Sequence, residues 1–244
     1  MDKPNILGET EDFAVVFKPA KMHTTAKNEE QRTEYKEKIT LFEWMKSQTK
    51  SVFDIMHRLD YETNGLVLFA KNEKSYLFFK EAQEKGEFVK EYSAVTATSV
   101  VNAKNNENIE DGFPAPPVID IHASSFVIES FFRPFGPGRK LVRPVIEDGK
   151  KHKETAKDRD GFYRTEVIKK NDNDFTLRIK RGFRHQIRCH LCWIGFPIVN
   201  DPLYSGCKIE ESSERVMYLR SHTIFFPEPS SGKKLEYRIE ALIT

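Results

Sequence analysis

Three cysteines in 244 residues are too few for a disulfide framework, so the chain reads as a protein of a reducing cytoplasm. Long apolar runs are also missing. The longest, Leu66 to Ala70, falls far short of a membrane span. The opening MDKPNILGETEDF lacks the basic-then-apolar pattern of an export signal, so a secreted or membrane protein is not expected. Charge of one sign is scarce: 39 Lys+Arg against 37 Asp+Glu leave +2, and bulk charge therefore selects no partner. No internal repeat of about 20–50 residues is visible, which excludes a solenoid or propeller. GxGxxG after a strand, GxxxxGK(S/T), HExxH and GxSxG are all absent, and nothing points to a nucleotide, flavin or nicotinamide cofactor.

What is present is a chain built to fold. Apolar residues make up 39%, with 19 Phe, 8 Tyr and 2 Trp, enough for a sizeable core. Phe13–Phe17 is a short apolar run halted by Lys18-Pro19, which predicts a buried strand. The polar stretch 26–39 reads as a mobile loop or exposed helix. Thr40 and Glu43 form a capping-box signature that opens a helix at about 40–49. After a turn at Asn64-Gly65, Leu66–Ala70 reads as a core strand. Tyr76, Phe79 and Ala82 then give an amphipathic helix from Glu73 to Lys85, stopped by Gly86. Strands are predicted at 92–97, 165–167, 175–179, 217–226 and 235–243, and a helix from Arg184 to Ile194. Residues 102–160, rich in Pro and Gly breakers, read as an irregular basic excursion. The irregular interleaving predicts a mixed α/β, α+β-like domain with a largely antiparallel sheet and flanking helices.

Charge is distributed unevenly. Phe131 to Arg164 carries ten Lys/Arg against five Asp/Glu, and Arg178 to His190 carries five basic residues and no acid. Arg181, Arg184 and Arg188 stand at helical spacing and project together if the helix includes them. Cations at a helix start oppose the macrodipole, a cost that makes sense if they face an anion, either a phosphate backbone or a buried carboxylate. Asp60 is the candidate carboxylate. It follows Arg58 by two places, so both side chains leave one face of an extended segment. His185, Cys189 and Cys192 also share a helical face and resemble zinc ligands in type. No second CxxC accompanies them and Cys207 stands alone, so no metal is expected. His57 and His185 read as structural, bonding neighbouring backbone.

Several segments together resemble one family. MHRLDYETNGLVLFAKN is similar to the HRLDxxTSGLLLxAK signature of RluA-type RNA pseudouridine synthases. RGFRHQIRCHLCWIGFPIVNDPLYSG resembles their GRTHQIRxHLxxxGxPIxGDxxYG segment. DFAVVFKPAKMH, KEYSAV and LRSHTIFFPEPSSGKKLEYRIEA resemble the opening KPxG element, the KxYxAxV strand and the closing segment. The likeness runs over about residues 5–242. It implies a bent, largely antiparallel mixed sheet with flanking helices. It implies one catalytic domain over 1–244, with no separate S4-like domain before it. The implied activity is isomerisation of uridine to pseudouridine in ribosomal or transfer RNA, by a cytoplasmic monomer without cofactor, metal or membrane. The family's catalytic aspartate falls on Asp60, its active-site tyrosine on Tyr92 and its buried aspartate-pairing arginine on Arg188. The arginine that fills the space of the extruded base falls on Arg58. Arg181 and Arg184 are left to grip flanking phosphates. Lys21 stands where the family has a glycine, which predicts a different turn. Phe183 and Arg184 replace the arginine and threonine of GRTHQ, shifting the basic contact by one residue. Asn200 replaces a glycine, a change compatible with left-handed backbone.

Overall fold

The apolar run FAVVFK and the all-apolar NGLVLFA pair as neighbours because strands buried on both faces need no polar alternation. In the computed structural model, which describes residues 3–26, 39–49, 51–97, 112–146, 162–204 and 215–242, these are strands β2 (Phe13–Lys18) and β4 (Asn64–Ala70). The predicted loop or helix at 26–39 and Cys207 fall almost wholly, or wholly, outside the described residues. The chain divides into two compact units, Met1–Tyr92 with Leu219–Ala241, and Ser93–Tyr218 with Leu242–Thr244.

In the first unit the strand order is β1 (Asn5–Glu9), β2, β4, β10 (Leu219–Pro227) and β5 (Val89–Val95), the last leading into the second unit. The short β3 (Asp54–Ile55) pairs with β4, and β11 (Lys234–Arg238) pairs with β10. Contacts of β2 with β1 and β4 are antiparallel, whereas β10 runs parallel to β4, so the sheet is mixed. Helix α1 (Leu41–Gln48) starts at the expected capping box: the Thr40 hydroxyl accepts from Glu43 N, and Glu43 accepts from Thr40 N. It buries Leu41 and Met45 and stacks Phe42 on Phe69. Helix α2 (Glu73–Glu84) has a second capping box, Asn72 with Ser75, and is stopped by Gly86, whose φ of 70° glycine adopts without strain. Its Phe79 packs edge-on to Phe13 and Phe226, in a core with Val15, Leu66, Leu68 and Ile224.

Asn64 and Gly65 open β4 and do not form the turn that their sequence predicted. The turn lies just before, where Thr63 N donates to Asp60 O. Gly65 is needed for a different reason: a Cβ there would collide with the main chain of Ser221 on the parallel strand β10.

The second unit holds an antiparallel sheet in the order β9 (Asp174–Ile179), β8 (Tyr163–Lys169), β6 (Ser125–Phe135) and β7 (Leu141–Val145). The excursion expected to be irregular is therefore partly a regular hairpin. The prolines within its two strands, Pro134 and Pro144, read as breakers, but the register tolerates both. Val142 takes its N–H and C=O outward to the Tyr204 hydroxyl, so Pro134↔Val142 is a non-hydrogen-bonded pair. Phe132↔Pro144, two residues along, has the same parity. Neither proline is asked for the N–H it lacks. Helix α3 (Gln186–Trp193) packs on β7 and β8 and is buried along its whole length. It begins two residues later than its periodicity suggested, because His185 adopts a left-handed φ of 57°.

Candidate active site

The segment between β3 and β4 is threaded through fixed hydrogen bonds. Met56 N donates to Leu68 O, and His57 Nε2 accepts from Leu68 N, as a structural histidine bonded to backbone should. Burial holds the His57 pKa well below its usual range, helped by Lys90, so the ring is a neutral acceptor there. Thr24 clamps Leu59 at both ends, donating to its carbonyl at 2.8 Å and accepting its N–H at 3.2 Å. Leu59 is thereby buried, Arg58 exposed and Asp60 half-buried.

Two groups of the same unit feel the charge of Asp60. Tyr92 on β5 is buried; desolvation and the Asp60 charge push its phenol up, against a smaller pull from the Ser221 hydroxyl on β10. Lys18, the last residue of β2, is fully buried and feels both Asp60 and Glu62. The site thus offers a carboxylate beside a phenol kept protonated, on a segment locked to the sheet.

The second unit places the remaining candidates. Arg188 is 2% exposed and forks onto Asp201, with Nε to Oδ2 at 2.8 Å and Nη2 to Oδ1 at 2.7 Å. Asp201 Oδ1 also accepts from Leu203 and Tyr204 N–H, so both partners are fixed. The sequence motifs assign Asp201 no role; its place after Asn200 in the NDPLY segment is what points to it. Arg181 and Arg184 lie before α3 and do not share a helical face with Arg188, contrary to the spacing argument. The late helix start separates them. Arg181 lies over the Tyr163 ring at 4.4 Å and bonds its hydroxyl. Exposed Arg184 reaches the carbonyls of Arg139 and Leu141 at 2.9 and 3.0 Å. Phe183, in the family's arginine position, stacks on Phe132.

His185 Nδ1 meets the Tyr204 hydroxyl at 3.2 Å. Cys189 and Cys192 donate their thiols to the carbonyls of Val142 and Tyr204, and burial pushes both up, Cys192 to about 12. Thiols so protonated are poor ligands. Among the described residues no group of three or more His, Cys, Asp or Glu is arranged to hold a metal. Lys21, expected to change its turn, instead holds a glycine-like φ of 58°, and Asn200 takes 61° as anticipated.

A family model described as RNA pseudouridylate synthase matches residues 12–193. The chain belongs to the RNA pseudouridylate synthase family. The pseudouridylate synthase match takes in Asp60, Tyr92 and Arg188 and stops at the end of α3, short of Asp201. A Mycoplasma pneumoniae protein named as an uncharacterized RNA pseudouridine synthase is 27% identical over 97% of this chain. The chain spans 66% of that relative's length. A Rickettsia felis protein named ribosomal large subunit pseudouridine synthase C is 29% identical over 75% of this chain and 51% of its own. The solved structure of human RNA pseudouridylate synthase domain containing 1 shares the fold, with a TM-score of 0.63 over 98% of this chain and 84% of that one, at 18% identity. No described helix is long and apolar enough to cross a membrane.

Proposed function

We propose that this chain isomerises uridine to pseudouridine in structured RNA, ribosomal or transfer, in the cytoplasm and without a cofactor. The reaction breaks the N–C glycosidic bond, turns the detached uracil and rejoins it through C5. No electrons leave, so no redox group is required. A stacked target must first be extruded, at a cost of a few kcal/mol. Exposed Arg58 fills the vacated space, while Arg181 and Arg184 hold flanking phosphates. Asp60 acts on the ribose or the base, as base or nucleophile, and Arg188 completes the catalytic group that the family resemblance implies.

What supports this reading is that the Asp60 segment and the buried Tyr92 belong to one compact unit, with burial first and the Asp60 charge second in raising the phenol. A phenol raised in this way remains protonated while Asp60 is charged, and its ring is available to stack on uracil. The Rickettsia relative's name supports ribosomal RNA as one substrate class.

The test is tritium release from RNA carrying 5-tritiated uridine. The wild-type chain releases tritium; Asp60→Asn abolishes release while leaving RNA binding intact. Wild-type release by Asp60→Asn would remove the assignment.

A further inference from the structure

Lys18 ends β2 with no measurable exposure, a costly place for an ammonium group. All three of its N–H bonds are taken by main-chain carbonyls: Pro19 at 2.9 Å, Met22 at 2.8 Å and Tyr61 at 3.4 Å. The first two belong to the turn in which Lys21 holds its left-handed φ. The third belongs to the residue directly after Asp60. One ammonium therefore ties the end of β2 to the segment that carries the carboxylate. The β2–β4 register, with Lys18 opposite Gly65, fixes its base.

With its donors spent on carbonyls, Lys18 acts on Asp60 through its charge. The charged groups that act on it are Asp60 and Glu62 on the segment before β4; Tyr92 in turn feels Asp60, and the Tyr61 ring, whose carbonyl the ammonium bonds, meets His23 at a tilt. An apolar side chain would fill the same volume without desolvating a charge, so retention of the ammonium calls for a reason beyond packing.

Resting on the reading of Asp60 given above, we infer that Lys18 is a positioning residue for the reaction, a buried fixed cation that holds the Asp60 segment in place and keeps its carboxylate ionised. Arg188, bonded to Asp201, belongs to the other unit; Lys18 is a buried cation of Asp60's own unit. The inference has a pH consequence. Burial outweighs the two carboxylates and brings Lys18 down to about 7, so its proton is lost within the neutral range and its support for Asp60 weakens as pH rises.

The experiment is a pair of NMR titrations on the full chain, following the Asp60 side-chain carboxyl carbon and the Lys18 ζ-nitrogen. In Lys18→Met the Asp60 midpoint rises by roughly one pH unit. In Asp60→Asn the Lys18 midpoint falls, since the coupling is mutual. The second variant keeps the inference testable if Lys18→Met does not fold. An unmoved Asp60 midpoint in folded Lys18→Met, or an unmoved Lys18 midpoint in Asp60→Asn, overturns the inference whether or not RNA is turned over. Absence of tritium release by the wild-type chain overturns the proposed function instead, and the titrations still decide the role of Lys18.

Discussion

Two lysines and two histidines among the described residues lose basicity to burial. Burial lowers Lys18 to about 7, Lys90 to about 8 and His190 to about 3, and it also lowers His57. His190 is the clearest case, held between the hydroxyls of Ser130 at 3.0 Å and Thr165 at 2.9 Å. Its folded pKa lies below its unfolded value of 6.5, so between about 3 and 6.5 the unfolded chain binds the extra proton. Stability therefore rises with pH across that window, by at most about 1.4 kcal/mol per unit from this group. Urea midpoints at pH 5.0–6.5 should fall on acidification in the wild type and fall less in His190→Gln. Equal slopes would show that His190 does not carry the effect. Such a histidine looks the same in sequence as a ligand or a catalyst, because burial, which decides its role, is set by residues sixty positions away. The same holds for Lys21. Its departure from glycine suggested a new turn, yet a left-handed lysine keeps the old one at a modest strain.

At the level of elements, those written in local chemistry were the legible ones. The capping box at Thr40, the glycine stop at Gly86 and the doubly buried β2 and β4 appear where the sequence placed them. The β6–β7 hairpin was hidden because proline reads as a breaker until the register shows that 134 and 144 share the non-bonded parity. The start of α3 was misplaced because nothing local announces a left-handed His185. In the candidate site, Asp60, Tyr92 and Lys18 all stand in family motifs, whereas the surroundings of each, and the neighbours Ser221 and Asp201, depend on long-range pairing. Gly65 joins the two kinds of information. Its φ of 127° and its approach to the Ser221 main chain leave no room for a side chain, so Gly65→Ala must push β4 and β10 apart. The expected cost is about 1–3 kcal/mol, read from urea denaturation. Because Ser221 adjoins Tyr92, tritium release at saturating RNA should drop as well. A variant of wild-type stability would mean that the parallel pairing can relax without loss.

Across the whole molecule, the +2 balance cannot attract a polyanion, so RNA affinity must come from where the cations stand. Arg184 is a suitable probe: its exposed guanidinium is anchored through one nitrogen to the carbonyls of Arg139 and Leu141, which leaves its other donors available to phosphate. Phosphate contacts release counterions, so each shows up as a steeper fall of affinity with salt. Arg184→Ala should weaken RNA binding alike for different sequences and reduce the slope of log affinity against log salt by about 1. Arg238→Ala serves as the control: it removes the same unit charge, but from a guanidinium already committed to Glu236 at 2.7 Å, so the slope should stay that of the wild type. If the two variants bind RNA with the same slope as wild type, the cations before α3 do not face the backbone. Selective loss of one sequence would mean instead that Arg184 reads a base edge.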